Sequence, residues 1–251
     1  GFYYKTFMWP KVFWEKIYEP AIRASAGLGR LSIQPDPDTY DKGFLHCDVL
    51  IIGGGPSGLS AALAAGRSGA RVIIADENFR MGGRLIAETL ELGDMSGTSW
   101  VSEVLAELST TKNLRVMPRT TVYGAFDHGI YGALERIPDH LSSNRQKPRQ
   151  VLWRIYSKRT ILCAGATERL IAFGNNDRPG VMLAGATRAY VNRWSVTPGK
   201  RIAVFTNNDD GWRTATDLVR RNIEVTAVVD TRDGVAHATP RGTSVVMGGR
   251  I

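Results

Sequence analysis

The chain has 251 residues, 43% of them hydrophobic and 22% charged, with a formal net charge of +8. These proportions belong to a globular protein of one or two domains and exclude fibrous and wholly disordered classes. No apolar run approaches the length of a membrane span, no secretory signal is expected at the start, and two cysteines, Cys47 and Cys163, are too few for a disulfide scaffold, so a cytoplasmic setting is expected. The chain starts without Met and stops without a closing element, and it reads as a piece of something longer.

Residues 1–45 read as an aromatic arm and linker. Phe2, Tyr3, Tyr4, Phe7, Trp9, Phe13, Trp14 and Tyr18 all fall in the first twenty positions. Such a density of rings has a large apolar area to bury, on the chain's own body or on a partner. A helix is expected over 12–18, disturbed at Pro20 and stopped near Gly27 or Gly29, followed by a turn-rich linker over 34–38.

From residue 46 the pattern becomes α/β. A buried strand over 47–52, a helix over 59–68 and a strand over 71–75 make one βαβ unit. A helix over 100–109, short strands over 114–117 and 120–123, and a hairpin of 131–137 with 151–156 across a polar loop at 142–150 follow, then an apolar strand over 160–164. A helix over 183–194 precedes a second βαβ unit: strand 201–205, helix 212–221 and strand 225–229. This divides the chain into an arm (1–45), a dinucleotide-binding domain (46–195) and a partial second βαβ domain (196–251). No internal repeat recurs.

The strongest motif is Gly53-Gly54-Gly55-Pro56-Ser57-Gly58, with a strand before it, a helix after it, and Asp76 at the end of the next strand. Gly53 allows the tight turn, Gly55 lets the backbone approach a pyrophosphate, and Gly58 lets helix and strand pack closely. The helix N-terminus supplies N–H donors and a positive dipole end for the phosphates, so a segment that is itself acidic needs no lysine there. A carboxylate at Asp76, or at Glu77 beside it, is placed to accept from an adenosine ribose, which favours NAD or FAD over NADP. The bland alternative is a βαβ unit with an accidental glycine turn.

Gly82-Gly83-Arg84 follows; Gly83 permits close approach to the nucleotide and Arg84 could pair with a phosphate or ribose oxygen, or be a solvated surface arginine. Val122, late in a short strand, is either a backbone contact to adenine or plain core. The expected fold is therefore α/β, a Rossmann-like dinucleotide-binding fold with a β-hairpin insertion and the start of a second βαβ unit.

Other constellations are weak. There is no Cys-x-x-Cys, and both cysteines sit in expected strands as inert thiols. His46, His128, His140 and His237 lack metal-ligand spacing, and Asp127-His128 has no nucleophile motif beside it. The 207–210 run Asn-Asn-Asp-Asp is better explained as a helix cap than as a metal turn, and the turn at 206–211 lacks the glycine fingerprint, so a second dinucleotide is not expected there. Residues 111–160 carry ten basic and three acidic residues, read as a solvated face, a subunit contact or a site for an anionic substrate rather than for nucleic acid. No catalytic residue and no metal site are singled out.

The glycine turn, Asp76, Gly82-Gly83 and the strand at 160–165 look like a two-dinucleotide-binding flavoprotein domain. More narrowly, residues 1–10, 18–32, 165–183, 198–210 and the run Val122-Tyr123-Gly124-Ala125-Phe126-Asp127-His128-Gly129-Ile130-Tyr131-Gly132-Ala133-Leu134-Glu135-Arg136 resemble the alpha-subunit family of heterotetrameric sarcosine oxidases. The likeness implies a fragment that lacks that subunit's amino-terminal region and its folate-binding carboxy-terminal half. It implies oxidative demethylation of sarcosine to glycine with hydrogen peroxide and formaldehyde or, with tetrahydrofolate, methylenetetrahydrofolate. In that family the amine is oxidised at FAD on the beta subunit, from which electrons pass to FMN at the alpha–beta interface. Gamma and delta subunits complete the assembly, and NAD sits in the alpha subunit without turning over. By position, Ser57, Asp76, Glu77 and Arg84 fall where NAD contacts lie, beside Gly53, Gly55, Gly58 and Gly83, with Val122 less secure. The alternative carried beside it is an FAD-holding subunit of a related opine, proline or glycine dehydrogenase, or a purely structural nucleotide-holding domain.

Overall fold

The fold follows from two periodicities, strands that are apolar on both faces and helices that are apolar on one stripe. The computed structural model describes residues 9–27, 29, 33–137 and 147–250. Phe2, Tyr3, Tyr4 and Phe7 of the arm, and most of the polar loop expected at 142–150, lie outside the described residues. The chain falls into two units, Gly1–Asp38 and Thr39–Ile251.

In the first unit a 3-10 turn (Lys11–Phe13) and a π turn (Trp14–Tyr18) lead directly into helix α1, Glu19–Ser25. Pro20 does not interrupt it. The proline sits in the first turn of α1, where its missing N–H costs nothing, and the chain turns away at Gly27 with φ +66°.

The second unit opens with β1 (Tyr40–Ile52), α2 (Pro56–Arg67) and β2 (Val72–Ala75), the expected βαβ unit. A two-stranded ribbon, β3 (Glu91–Leu92) and β4 (Met95–Ser96), turns at Gly93 and leads into α3 (Gly97–Thr110). Ser96 caps α3 by accepting from the Ser99 N–H at 3.1 Å. Next come β5 (Leu114–Met117), β6 (Thr120–Phe126), β7 (Ile130–Arg136) and β8 (Gln150–Leu162). They join β1 and β2 in one sheet ordered β5-β2-β1-β8-β7-β6, in which β5, β2, β1 and β8 are parallel and β7 and β6 antiparallel. The expected hairpin is β7 against β8, with Ile130 opposite Tyr156 and Arg136 opposite Gln150.

Two strands are longer than the sequence pattern alone predicts. The strand expected over 47–52 begins at Tyr40, and the two expected over 151–156 and 160–164 are one strand. Both lengthen for one reason: β1 and β8 pair along their whole course, from Tyr40 opposite Gln150 to Ile52 opposite Leu162. Backbone hydrogen bonding to a neighbour therefore carries the polar stretch 40–46 and the charged stretch 157–159 as strand, against their local composition.

The outermost strands, β5 and β6, are consecutive in sequence and joined only by Pro118 and Arg119, so the sheet has to curl to bring the end of β5 and the start of β6 together, although the two strands do not pair. Asp76 stitches the seam: its N–H donates to Met117 O at 3.0 Å and its O accepts from Thr120 N–H at 2.8 Å. One core lies inside the curl, with Cys47, Leu50, Ile73, Met117 and Ile155. Outside it, α2 and α3 cover the parallel strands, burying Leu59 and Ala62 with Val101, Val104 and Leu108 against Ile51 and Ile74. The 3-and-4 spacing of those helical residues is the stripe a packed helix needs. Each fully buried Leu or Ile contributes about 1.5–3 kcal/mol.

The short helix α4 (Ala184–Arg188) runs into a π turn, Ala189–Arg193, in place of the longer regular helix expected. Then β9 (Arg201–Thr206), α5 (Asp209–Arg220) and β10 (Glu224–Asp230) form the expected second βαβ unit, extended by β11 (Ser244–Val246) in a parallel sheet ordered β11-β10-β9. Its core is Val204, Trp212, Ala215, Leu218, Val225 and Val228.

Candidate functional site

The glycine turn is built as its chemistry demands. Gly53 has φ +106°, and a Cβ there would overlap the carbonyl oxygen of Cys163 on the neighbouring strand. A Cβ on Gly58 would overlap the carbonyl oxygen of Gly53, so this glycine is what lets α2 sit against the end of β1. Gly55, the residue before α2, has open space beside it, with the nearest atom, Gly83 Cα, at 3.9 Å. The first helical bond of α2 runs from Leu59 N–H to Gly55 O at 2.9 Å, so the N–H groups of Ser57 and Gly58 have no helical acceptor. No side chain caps this helix and no acidic residue lies in its first turn. Those groups and the positive end of the helix dipole are thus available to an anion.

Asp76 is brought into this turn. Its Oδ2 accepts from Gly54 N–H at 2.6 Å and its Oδ1 from Asn78 N–H at 2.7 Å. Each oxygen keeps a lone pair for a further donor such as a ribose hydroxyl. Glu77, next along, is exposed. Gly82 and Gly83 pack against the first glycines: Gly82 N–H donates to Gly54 O at 2.7 Å, and a Cβ on Gly83 would come within 2.8 Å of Gly55 Cα.

Arg84 faces elsewhere. It pairs with Glu88 and, at 2.6 Å, with Asp210 of α5. Burial works against its charge, yet the bonds to Asp210 and Glu88 prevail and raise its pKa. Val122 lies half-buried in β6, opposite Ala133 and packed on the core inside the curl.

The corresponding turn of the second βαβ unit is closed. Asn208 caps α5 by accepting from Asp210 N–H at 3.0 Å, and Thr206 and Asn208 bond to one another across the turn. A Cβ on Gly211 would overlap the Thr206 side chain. Asp209 and Asp210 occupy the first helical turn, where a phosphate would meet two like charges.

The neighbourhood of Asn78 has no counterpart among the sequence expectations. Arg193 donates to Asn78 Oδ1 at 3.0 Å, and its guanidinium lies 4.7 Å from the ring centres of both Phe79 and Trp194; Arg119 stacks on Phe79 at 5.3 Å. Burial and the nearby Arg80 lower the Arg193 pKa. Three segments far apart in sequence meet here, and no spacing within one of them announces it.

Among the described residues no cluster of three His, Cys, Asp or Glu could hold a metal, and no helix is long and apolar enough to cross a membrane. Cys47 is buried, and that burial raises its thiol pKa.

Residues 48–133 match the family described as FAD dependent oxidoreductase. The chain is 48% identical over 233 residues, 92% of its length, to a segment of the sarcosine oxidase alpha subunit from Rhizobium meliloti (strain 1021). It is 27% identical over 73% of its length to an opine oxidase subunit from Agrobacterium tumefaciens (strain Ach5), covering 37% of that protein. The chain spans about a quarter of the sarcosine oxidase alpha subunit. Among solved structures, L-proline dehydrogenase from P. horikoshii superposes with a TM-score of 0.62 over 87% of this chain and 44% of the other, at 20% identity, a likeness of fold.

Proposed function

We propose, for a chain that is a homologue of sarcosine oxidase alpha subunits over a segment of their length, that it is the nucleotide-holding part of such a protein and that the nucleotide is NAD, held without turnover. The observation that carries the nucleotide site is the Asp76 carboxylate set against the Gly54 N–H, beside the uncapped start of α2, a geometry that suits NAD and FAD alike; the choice of NAD rests on the likeness to sarcosine oxidase alpha subunits. Gly53, Gly55, Gly58 and Gly83 clear the way for a pyrophosphate, the Ser57 and Gly58 N–H groups meet it, and Asp76 or Glu77 takes a ribose hydroxyl. The capped, acidic turn at 206–211 supports one nucleotide rather than the two that a nicotinamide-to-flavin relay needs. On this reading no residue of this chain does amine chemistry. Oxidation of sarcosine to glycine, with hydrogen peroxide and formaldehyde or methylenetetrahydrofolate as co-products, occurs at FAD and FMN on a partner beta subunit. Gamma and delta subunits complete a cytoplasmic heterotetramer.

A second reading places FAD in the same turn, as in an opine-type or proline dehydrogenase. It is favoured by the FAD-dependent family match and by the opine oxidase relative. The experiment that separates them is denaturation of the full-length chain, purified free of partner subunits, and identification of the released nucleotide by absorbance and mass. NAD without flavin supports the first reading; FAD overturns it in favour of the second.

A further inference from the structure

A cavity of about 260 Å³ lies between α5 and the segment 88–90, away from the glycine turn. The α5 residues that line it, Trp212, Arg213, Thr216, Asp217 and Arg220, recur at helical spacing, so one face of the helix is turned to it. Opposite them is Arg188, whose side chain is only 3% exposed. Its terminal nitrogens reach Glu88 at 3.6 Å and Asp210 at 2.6 Å, while its buried Nε has no hydrogen-bond partner. The other buried side-chain atom left without one among the described residues, Asn192 Oδ1, belongs to a side chain that bonds Asp217 of the same lining.

The charges do not balance. Arg188, Arg213 and Arg220 face Glu88 and Asp217, and Glu88 is already paired with Arg84. Among the described residues Arg213 and Arg220 have no carboxylate within ion-pair distance. Guanidinium forks match the oxygens of carboxylates and phosphates, and the volume is below that of sites for drug-sized ligands.

We infer that this cavity, lined by Arg188, Arg213 and Arg220, is a binding site for a small oxyanion of carboxylate or phosphate type, distinct from the nucleotide turn, none of whose residues lines it. Inorganic phosphate and acetate serve as probes, each titrated into the full-length assembled protein at ionic strength held constant with chloride, while the melting midpoint is followed. The readout is the difference between the natural protein and the Arg213→Gln/Arg220→Gln double variant, whose changed side chains are exposed on α5 and leave its buried face intact. A saturable rise is expected, with apparent affinity at least ten-fold weaker in the double variant and the nucleotide content unchanged. A response to phosphate alone assigns a phosphate group, to acetate alone a carboxylate, and to both an undiscriminating oxyanion site. Equal responses in the natural protein and the variant, or no rise above chloride, overturn the inference. A natural protein that holds no nucleotide yet shows the saturable response, weakened in the double variant, tells against the reading of the glycine turn and leaves this site standing.

Discussion

Replacing Asp76 by Asn separates two roles that the carboxylate combines. Its oxygens accept from Gly54 N–H at 2.6 Å and Asn78 N–H at 2.7 Å, so an amide of the same shape must set an NH2 group against one of those donors. A hydrogen bond to a charged group contributes about 1.5–3 kcal/mol, so the nucleotide-free variant should lose about 2 kcal/mol. At ~2–4 °C per kcal/mol for a domain of this size, its melting midpoint should fall by about 4–8 °C. If Asp76 also holds a ribose hydroxyl, losing that bond weakens nucleotide binding by roughly 10- to 150-fold. Melting of the stripped protein measures the first effect, and calorimetric titration with NAD the second. Glu77→Gln is the control, since Glu77 is exposed beside Asp76, and its affinity should stay within about three-fold. An Asp76→Asn protein that melts with the natural one and binds NAD equally well would refute both roles. A loss confined to Glu77→Gln would move the ribose to that residue.

Three further expectations follow from the same geometry. Gly58→Ala drives a Cβ into the Gly53 carbonyl and should cost about 1–3 kcal/mol or more, whereas Gly55→Ala, with 3.9 Å of room, should melt normally and show only weaker NAD binding; the two melting curves decide. Cys163 should be alkylated before Cys47, whose buried thiol has a raised pKa and should resist iodoacetamide even at the usual thiolate-forming pH of about 8.5, read by peptide mass. The carboxyl of Asp230, held well below the usual range by its bonds from Arg232 and from the Trp212 indole, contributes stability that is fully present above pH ~4 and lost as pH falls from there toward its native pKa. Acid unfolding should therefore be blunted in Asp230→Asn, and an unchanged pH profile would contradict that pairing.

The two βαβ units and the hairpin were legible because each carries its own signal: apolar runs for the strands, 3-and-4 spacing for α3 and α5, and glycines at 53, 55 and 58. Asp76 was legible from its place at a strand end. Position did not tell that Arg84 turns to Asp210, because that partner lies in the second βαβ unit and the pair forms only when α5 packs nearby. Arg188 likewise finds Asp210 on α5, and the Arg193–Phe79 stack joins two segments far apart in sequence. Strand length exceeds the sequence pattern where hydrogen bonding outweighs composition, as at Asp41–Lys42 in β1, which pair with Val151 and Leu152 of β8. Pro20 signals a disturbance in the sequence yet fits the first turn of α1, because a proline's effect depends on which turn of the helix it occupies.

The β1–β8 pairing sets an order on synthesis. While the chain emerges, β1 can recruit β2 and then β5, but its other edge waits until residues 150–162 leave the ribosome. An edge left open that long is a template for strands of other chains and a natural client for a holding chaperone. Cys163 also reaches the growing end at that moment, and its N–H donates to Ile52 O at 2.7 Å immediately before the glycine turn. The glycine turn therefore has its full set of neighbours only once β8 is made, and a nucleotide bound there, as proposed, would act as a latch on the β1–β8 strand pair.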